Sequence, residues 1–330
     1  MKKVFKRTLT LTGKRSYSVV LPKEWVTTSN LVHGDTLLIE IREDGALVIK
    51  HEKVPREERR SDEVVIGVSP LLSRDLIAAY LMGYDRIVIR STEGIPSSYR
   101  ELVKRTVRSL TGAEVISEGH DIIEVQVLLD ASLIEPEKVL SRENSLVMSN
   151  LSMVLEAVRR WDPDEAANVI MMDEEVDRHY FTLVRAVRSY ALGASSPKGR
   201  GLSPIRLLDM RMVAKFVEDV GDRAVKVAEV IRSNSTSADS GGSLSTRLHE
   251  AALPLVETQK MAFEAFMSYD SNLANSVITK VTEVMQRITD LQASEEAAAL
   301  RPHQLITSEL LRVCDDQIDI ADIAAPFPRS

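Results

Sequence analysis

The chain has 330 residues, 44% of them hydrophobic and 28% charged, with a formal net charge of −7. It is long enough to bury a sizeable core in two or three domains. The single cysteine, Cys314, excludes an intrachain disulfide. The sequence has no signal peptide and no run of 18 apolar residues, so we expect a cytoplasmic protein without membrane insertion.

The amino-terminal end of the chain is basic. Residues 1–60 contain 13 Lys and Arg against 8 Asp and Glu, a net charge of +5, whereas the remainder carries −12. Such asymmetry between the two ends indicates an anionic partner for the basic end, although an ordinary solvated surface would also be compatible with it.

Residues 1–50 have the pattern of short strands joined by turns. The segment TLTLTGKRSYSVVLPKEW predicts a strand, a turn at Gly13-Lys14, a second strand and a short helix opened by Pro22. The next segment predicts a hairpin with its turn at Asp44-Gly45. Four short strands can bury only a marginal core, so we expect two chains to dimerise and share strands.

This amino-terminal segment resembles the SpoVT/AbrB family of DNA-binding dimers. The resemblance is carried by Leu21-Pro22-Lys23-Glu24, Gly34-Asp35 and Asp44-Gly45, which stand in the expected order and spacing. It implies a swapped-hairpin β-barrel over residues 1–52 that forms a homodimer and binds DNA. The residues it implies as contacts to phosphates or groove edges are Arg7, Lys14, Arg15 and Lys23.

The pattern of residues 62–135 predicts a small α/β domain. EVVIGV, DRIVI, AEVIS and DIIEVQVLL predict strands, with helices at 73–83 and 97–110 between the first three. This β-α-β-α-β-β order suggests a small sheet with parallel pairs and helices packed on it. No catalytic constellation is present, so a spacer, a dimerisation module and a small-ligand module all remain open. The charged stretch 51–63 is the expected hinge before this domain.

Residues 141–330 contain an internal repeat. At an offset of 108 residues, Met153, Glu156, Ala157 and Asp162 match Met261, Glu264, Ala265 and Asp270, and at an offset of 93, Asp222 matches Asp315. Each copy, 141–232 and 246–323, predicts three helices. The predicted helices are 141–160, 164–192 and 204–232, then 246–269, 271–294 and 302–323. A loop at 193–204 absorbs the difference between the offsets, and a polar linker at 233–246 joins the copies.

Acidic residues recur on two helices of the first copy. Asp173 and Asp177 are four residues apart, as are Glu218 and Asp222. Like charges at this spacing share a helix face and cost about 0.2–0.5 kcal/mol per pair. A cation held between two such pairs would turn the repulsion into coordination by hard oxygen ligands. A solvated acidic face is the open alternative.

The segment DVGDRAVKVAEV, preceded by Glu218, resembles the signature helix of the PhoU family. That family folds as two three-helix bundles, and its E/D-x-x-x-D motifs hold metal ions. The resemblance implies a divalent or trivalent metal ion bound by Asp173, Asp177, Glu218 and Asp222. In the second copy Val281, Met285 and Leu311 stand at the matching positions, while Glu283, Asp315 and Asp319 keep carboxylates. One metal site is therefore expected rather than two equal ones.

Together these features predict a multidomain α+β protein with an AbrB-like barrel, a middle α/β domain and an all-α pair of PhoU-like three-helix bundles. The two resemblances imply a DNA-binding regulator of phosphate uptake with a PhoU-like metal-binding helical sensor, and not an enzyme. The alternative is an adaptor that inhibits a phosphate transporter ATPase or a signalling kinase, with the basic module used for dimerisation. A metal-dependent hydrolase is a third possibility, but no general acid or nucleophile accompanies the acids at a recognisable spacing.

Overall fold

The computed structural model describes residues 4–13, 16–41, 45, 47–51, 63–191, 202–235, 242–294 and 300–324. The chain divides into two compact units, Met1–Ser61 and Asp62–Ser330. Three predicted connections lie largely outside the described residues. They are the hinge at 51–63, the loop at 193–204 and the centre of the linker at 233–246.

The first unit consists of two short antiparallel ladders and one helix. Its elements are β1 (Thr10–Thr12), β2 (Ser16–Ser18), α1 (Lys23–Thr28), β3 (Leu37–Ile41) and β4 (Leu47–His51). β1 pairs with β2, and β3 pairs with β4. Gly13 and Gly45 adopt φ angles of 73° and 77°, the left-handed conformation in which glycine is not strained.

The predicted β-barrel is not formed in the single chain. The strands make two separate two-stranded sheets, and none of the described residues of this unit is buried. Two such ladders are too small to enclose a core, because an isolated two-stranded hairpin is at best marginally stable. The expectation of a closed barrel is therefore wrong for the isolated chain.

The second unit begins with a four-stranded sheet. Its elements are β5 (Glu63–Gly67), α2 (Leu72–Leu81), β6 (Arg86–Arg90), α3 (Ser97–Arg108), β7 (Ala113–Glu118) and β8 (Ile122–Val127). The strand order is β5-β6-β8-β7, and only β5 and β6 are parallel. β7 and β8 are antiparallel because a short turn joins them, and β8 rather than β7 pairs with β6, again antiparallel. The element order agrees with the prediction, but the sheet has a single parallel pair.

Seven helices follow in the described part of the chain. They are α4 (Pro136–Arg160), α5 (Pro163–Ala191), α6 (Pro204–Ser233), α7 (Ser243–Ala252), α8 (Pro254–Ser268), α9 (Ser271–Gln292) and α10 (Arg301–Ala324). One continuous apolar core joins both copies of the repeat. The single helix predicted over 246–269 is divided at Pro254, which has no N–H to donate to the helical hydrogen-bond ladder.

The two copies reverse the chain in the same way. Trp161 and Tyr269 end α4 and α8 with φ angles of 50° and 53°. The next residue then caps the following helix. Asp162 Oδ1 accepts hydrogen bonds from the N–H groups of 164 and 165 at 3.0 and 3.1 Å, and Asp270 Oδ1 accepts them from those of 272 and 273 at 2.9 and 3.1 Å. The aspartates matched by the repeat thus have one structural role, as N-caps.

Hydrogen bonds and an ion pair join the sheet region of the second unit to α5. The guanidinium of Arg185 is 3% exposed and donates to Tyr80 O at 2.6 Å and to Asp85 Oδ1 at 2.7 Å. Further along, Thr182 Oγ1 donates to Thr111 Oγ1 at 2.8 Å. The helix that carries two of the predicted metal ligands therefore also supports the sheet.

None of the helices in the described residues is long and apolar enough to cross a membrane.

Candidate metal centre

The predicted acidic residues lie where α4, α5 and α6 approach one another closely. Gly221 of α6 is buried, and a Cβ atom at this position would be 3.1 Å from Asp173 Oδ1, 3.4 Å from Val147 Cγ2 and 3.5 Å from Val176 Cγ1. There is little room for a side chain at this point. The absence of one lets the carboxylate of Asp173 reach the face of α6 next to Asp222.

Three carboxylates of α6 converge on a single point. Glu218, Asp219 and Asp222 each offer an oxygen atom, and these oxygens lie within 4.8 Å of one another. Asp219 was not among the predicted ligands, because the spacing of four residues selects Glu218 and Asp222 only. The adjacent acid in the segment VEDVGD is the sequence signal that would have included it.

The carboxylates of α5 and α6 perturb one another. Burial raises the pKa of Asp173 to about 7, with further contributions from Asp177, Asp222 and Glu218. Burial, followed by the charge of Asp222, raises the pKa of Asp177 to about 6. The pKa of Glu218 is raised to about 7 by burial, against the opposing effect of Lys215. All four predicted ligands therefore lie in one electrostatic environment, which favours either bound protons or a bound cation.

Lys215 supplies one positive charge to the edge of this cluster. Its Nζ donates a hydrogen bond to Glu218 and contacts Asp219 Oδ1 at 2.9 Å. Burial lowers the pKa of this lysine, but the hydrogen bonds to Glu218 and Asp219 outweigh burial and raise the pKa above its usual value. One cation thus faces several carboxylates, so the cluster remains acidic.

A further acid, Glu143 of α4, was missed by the sequence reasoning. It is completely buried, and neither carboxylate oxygen has a hydrogen-bond partner among the described residues. Burial raises its pKa well above the usual range, and the charge of Glu218 adds to this effect. Glu143 lies on the apolar stripe that includes Leu140 and Val147. An acid at a core position of an amphipathic helix was the signal available in the sequence.

A second charged cluster lies where α6 of the first copy meets α10 of the second copy. Arg223 of α6 lies 3.6 Å from Glu309 Oε2 and 3.8 Å from Asp316 Oδ2, both on α10. Burial raises the pKa of Asp316 to about 7, with Asp219 adding to the rise and Arg223 opposing it. At the positions that match the two α5 acids, Val281 is buried in the core and Met285 packs against it. The second cluster therefore contains an internal guanidinium.

The donor set of the first cluster suits a hard cation. All its candidate ligand atoms are carboxylate oxygens, the donors preferred by Mg²⁺, Ca²⁺, Mn²⁺ and Fe³⁺. The buried and unpartnered carboxylate of Glu143 is the observation that such an ion would account for most directly. The residues present thus fit a divalent or trivalent metal ion.

The predicted DNA contacts are described only in part. Arg7 and Lys23 are exposed, and Lys23 is the first residue of α1. The guanidinium of Arg7 lies 5.8 Å from the centre of the Phe5 ring. Lys14 and Arg15 lie outside the described residues, so the four positions do not define one surface here.

Two segments of the chain match models of known families. The model of the PhoU domain matches residues 140–231, and the model of the antidote-toxin recognition protein MazE, a bacterial antitoxin, matches residues 10–58. The two resemblances seen in the sequence are thereby confirmed. The chain carries a PhoU domain that contains the acidic cluster, and a MazE/AbrB-like segment before it.

The chain is similar to curated proteins named phosphate-specific transport system accessory protein PhoU homolog. It is 33% identical to the one from Caulobacter vibrioides over 100 residues, which cover 30% of this chain and 41% of that protein. It is 33% identical to the one from Zymomonas mobilis over 107 residues, 32% of this chain and 43% of that protein. The matched part is less than half the length of these relatives.

Among solved structures, the chain is similar to the crystal structure of PhoU from Pseudomonas aeruginosa. The sequence identity is 17% and the TM-score is 0.47, with 59% of this chain and 95% of the other covered.

Proposed function

We propose that this protein is a DNA-binding regulator of phosphate uptake whose helical part senses a metal ion. The observation that supports this most strongly is the joining of a PhoU domain to a MazE/AbrB-like segment in one chain. The PhoU-like relatives are named as accessory proteins of phosphate transport. A basic amino-terminal end with a net charge of +5 supplies the electrostatic complement to DNA.

In this proposal, Asp173, Asp177, Glu218 and Asp222 hold the cation. When bound, the ion supplies positive charge at a surface that would otherwise repel phosphate. The chain's own contribution is to hold the acids of α5 beside those of α6, which the small Gly221 permits. Lys215 keeps part of the cluster neutral. Phosphate status would then change the geometry of the DNA-binding modules.

The amino-terminal unit is proposed to function as a homodimer. Because none of its described residues is buried, its apolar side chains need a partner surface. The most exposed of these side chains in the strands are Leu11, Tyr17, Leu38, Ile39, Ile41 and Leu47. A second copy that shares strands would cover them. Sedimentation equilibrium of the full chain should give the mass of two chains, and the mass of one chain would contradict the dimer.

The test of DNA binding is fluorescence anisotropy on DNA from the protein's own upstream region, with unlabelled random DNA as competitor. Affinity should fall log-linearly with salt, because released counterions drive phosphate contacts. Lys14→Ala/Arg15→Ala should remove most of the binding. The control Lys226→Ala/Arg287→Ala removes the same charge from exposed positions of the second unit and should leave binding unchanged. Equal loss in both variants, or equal competition by random DNA, would contradict specific binding through the basic segment.

The second candidate function is an adaptor that inhibits a phosphate transporter ATPase or a signalling kinase. The printed name of the relatives, an accessory protein of phosphate-specific transport, favours it. An adaptor would show neither specific DNA binding nor sensitivity at Lys14 and Arg15. A pull-down with the transporter ATPase as bait would then identify the partner.

A further inference from the structure

Among the described residues, no basic side chain donates a hydrogen bond to Glu143. Its side chain is fully buried in α4, and both carboxylate oxygens lack a hydrogen-bond partner in the described part of the chain. Two cations are near enough to affect its ionisation, Arg211 and Lys215. The guanidinium of Arg211, however, lies over the Tyr180 ring at 5.0 Å, and Lys215 is engaged by Glu218 and Asp219. Neither cation therefore satisfies Glu143.

A buried carboxylate without a partner is strongly unfavourable. Proteins hold such a group as a neutral acid, pair it, or use it to coordinate a metal ion. A structural role alone would be served better by an apolar residue at this core position. The position thus indicates a ligand that completes the coordination of the carboxylate.

The packing of the three helices places Glu143 on the inner side of the acidic cluster. Only residues 161 and 162 separate α4 from α5, so these helices run antiparallel. At the level of Gly221, Val147 of α4 and Asp173 of α5 meet α6. One turn away from this level, towards the amino-terminal ends of α4 and α6 and the carboxyl-terminal end of α5, the residues are Glu143, Glu218 and Asp177.

We propose that Glu143 is a metal ligand supplied by α4, which turns the two-helix acidic cluster into a three-helix site closed from the core side. This inference rests on the proposed metal centre and adds a residue to it. In the absence of the cation, the same residue would make the site a local source of instability. The cation would then join α4 to α5 and α6, so its binding would stiffen the first copy of the repeat.

The test measures Mn²⁺ binding to the full-length, chelator-stripped protein by calorimetry and by electron paramagnetic resonance. Glu143→Gln should weaken Mn²⁺ binding by about 10-fold or more, since loss of even an outer-shell partner costs about this much. The same variant should raise the melting temperature of the metal-free protein, because an amide replaces a buried acid. Its gain in melting temperature on adding Mn²⁺ should be smaller than that of the wild type.

Two further variants separate the possible outcomes. Glu137→Gln makes the same change in the first turn of α4 and should leave Mn²⁺ affinity unaltered. Glu218→Gln tests the proposed centre itself. Mn²⁺ binding that is weakened by Glu218→Gln but unchanged by Glu143→Gln would overturn the assignment of Glu143 alone. A wild-type protein that binds no Mn²⁺ at millimolar concentration would overturn both the centre and this inference.

If Glu143→Gln does not fold, Glu143→Asp provides the measurement. It retains the charge and withdraws the carboxylate by one methylene, so Mn²⁺ should bind more weakly with an altered resonance spectrum. An unchanged affinity and spectrum would show that this carboxylate does not touch the ion.

Discussion

The two copies of the helical repeat use the same turns but differ in their polar interiors. Asp162 and Asp270 cap the second helix of each copy with equivalent hydrogen bonds. In contrast, the positions that carry Asp173 and Glu218 in the first copy carry Val281 and Leu311 in the second. Residues that close turns have been kept in both copies, whereas the acids have not.

The second copy shows that the helical repeat can form without the acids of the first copy. The second copy buries Val281 in its core, and two acids of its α10, Glu309 and Asp316, lie within 4 Å of the guanidinium of Arg223 from the first copy. The first copy has more acids than neighbouring cations. Arg223 therefore offsets part of the negative charge of the α10 acids, whereas a proton or an ion from solution would offset that of the first cluster.

The largest expected effect is the loss of metal from the first copy. Glu218→Ala/Asp222→Ala should weaken Mn²⁺ binding by about 100-fold or more, because two ligands on one helix face are removed. Asp315→Ala/Asp319→Ala removes the same charge from the second copy and should have little effect. Isothermal titration of the two variants checks this. Equal losses in both would show that the copies bind metal alike.

Removal of Arg223 tests the charged cluster between α6 and α10. Arg223→Ala should destabilise the protein by about 2 kcal/mol, since Glu309 and Asp316 are left partly buried without their guanidinium. Arg312→Ala is the control, because its pair with Glu309 is more exposed and should contribute little. Urea denaturation measures both. An Arg223→Ala variant as stable as wild type would show that this cluster needs no cation.

The pH dependence of stability should reflect the buried acids of the first copy together with Asp316 of the second. Folding raises the pKa of Asp173 from 3.8 to about 7 and that of Glu218 from 4.5 to about 7. The folded state therefore holds protons more tightly, and the metal-free protein should lose roughly 1–2 kcal/mol as pH rises from about 4 to 7. Thermal melts across this range should show the loss. Asp173→Asn should reduce it, whereas the exposed Asp290→Asn should not.

The smallest expected effect concerns the close approach at Gly221. In Gly221→Ala, the new Cβ would meet Asp173 Oδ1 at 3.1 Å, and the carboxylate would have to move. The higher helix propensity of alanine, about 1 kcal/mol, offsets this in stability. The melting temperature should change by only a few degrees, while Mn²⁺ affinity falls several-fold. A large loss of stability with unchanged affinity would instead identify Gly221 as a packing residue alone.

The helices were predictable because their apolar periodicity and end signals are local. The three helices of the first copy lie within about five residues of their predicted ends, and Pro163 and Pro204 stand in their first turns. The break at Pro254 was missed because the apolar pattern continues on both sides of it. The amino-terminal barrel was wrongly predicted for a different reason, since alternation and turn residues set the pairing within each hairpin but not the pairing between hairpins.

The acidic cluster was predictable in part. The spacing of four residues found Asp173, Asp177, Glu218 and Asp222, which electrostatics place together. Glu143 could not be assigned from spacing, because it belongs to a third helix and its role depends on how the helices pack. The Arg223 cluster likewise joins two helices from different copies. Such pairings are set by tertiary contacts that local pattern does not determine.

The buried contacts of Arg185 limit where the chain can be cut into fragments that fold. A guanidinium that is 3% exposed and bonded to Tyr80 and Asp85 would lose all these partners if the sheet were cut away. A fragment that starts at the helical repeat would thus expose an orphaned charge and the apolar side of α5. Deletion mapping should consequently cut the chain near residue 61, where the two units divide. Fragments begun near residue 136 should be aggregation-prone whatever their metal content.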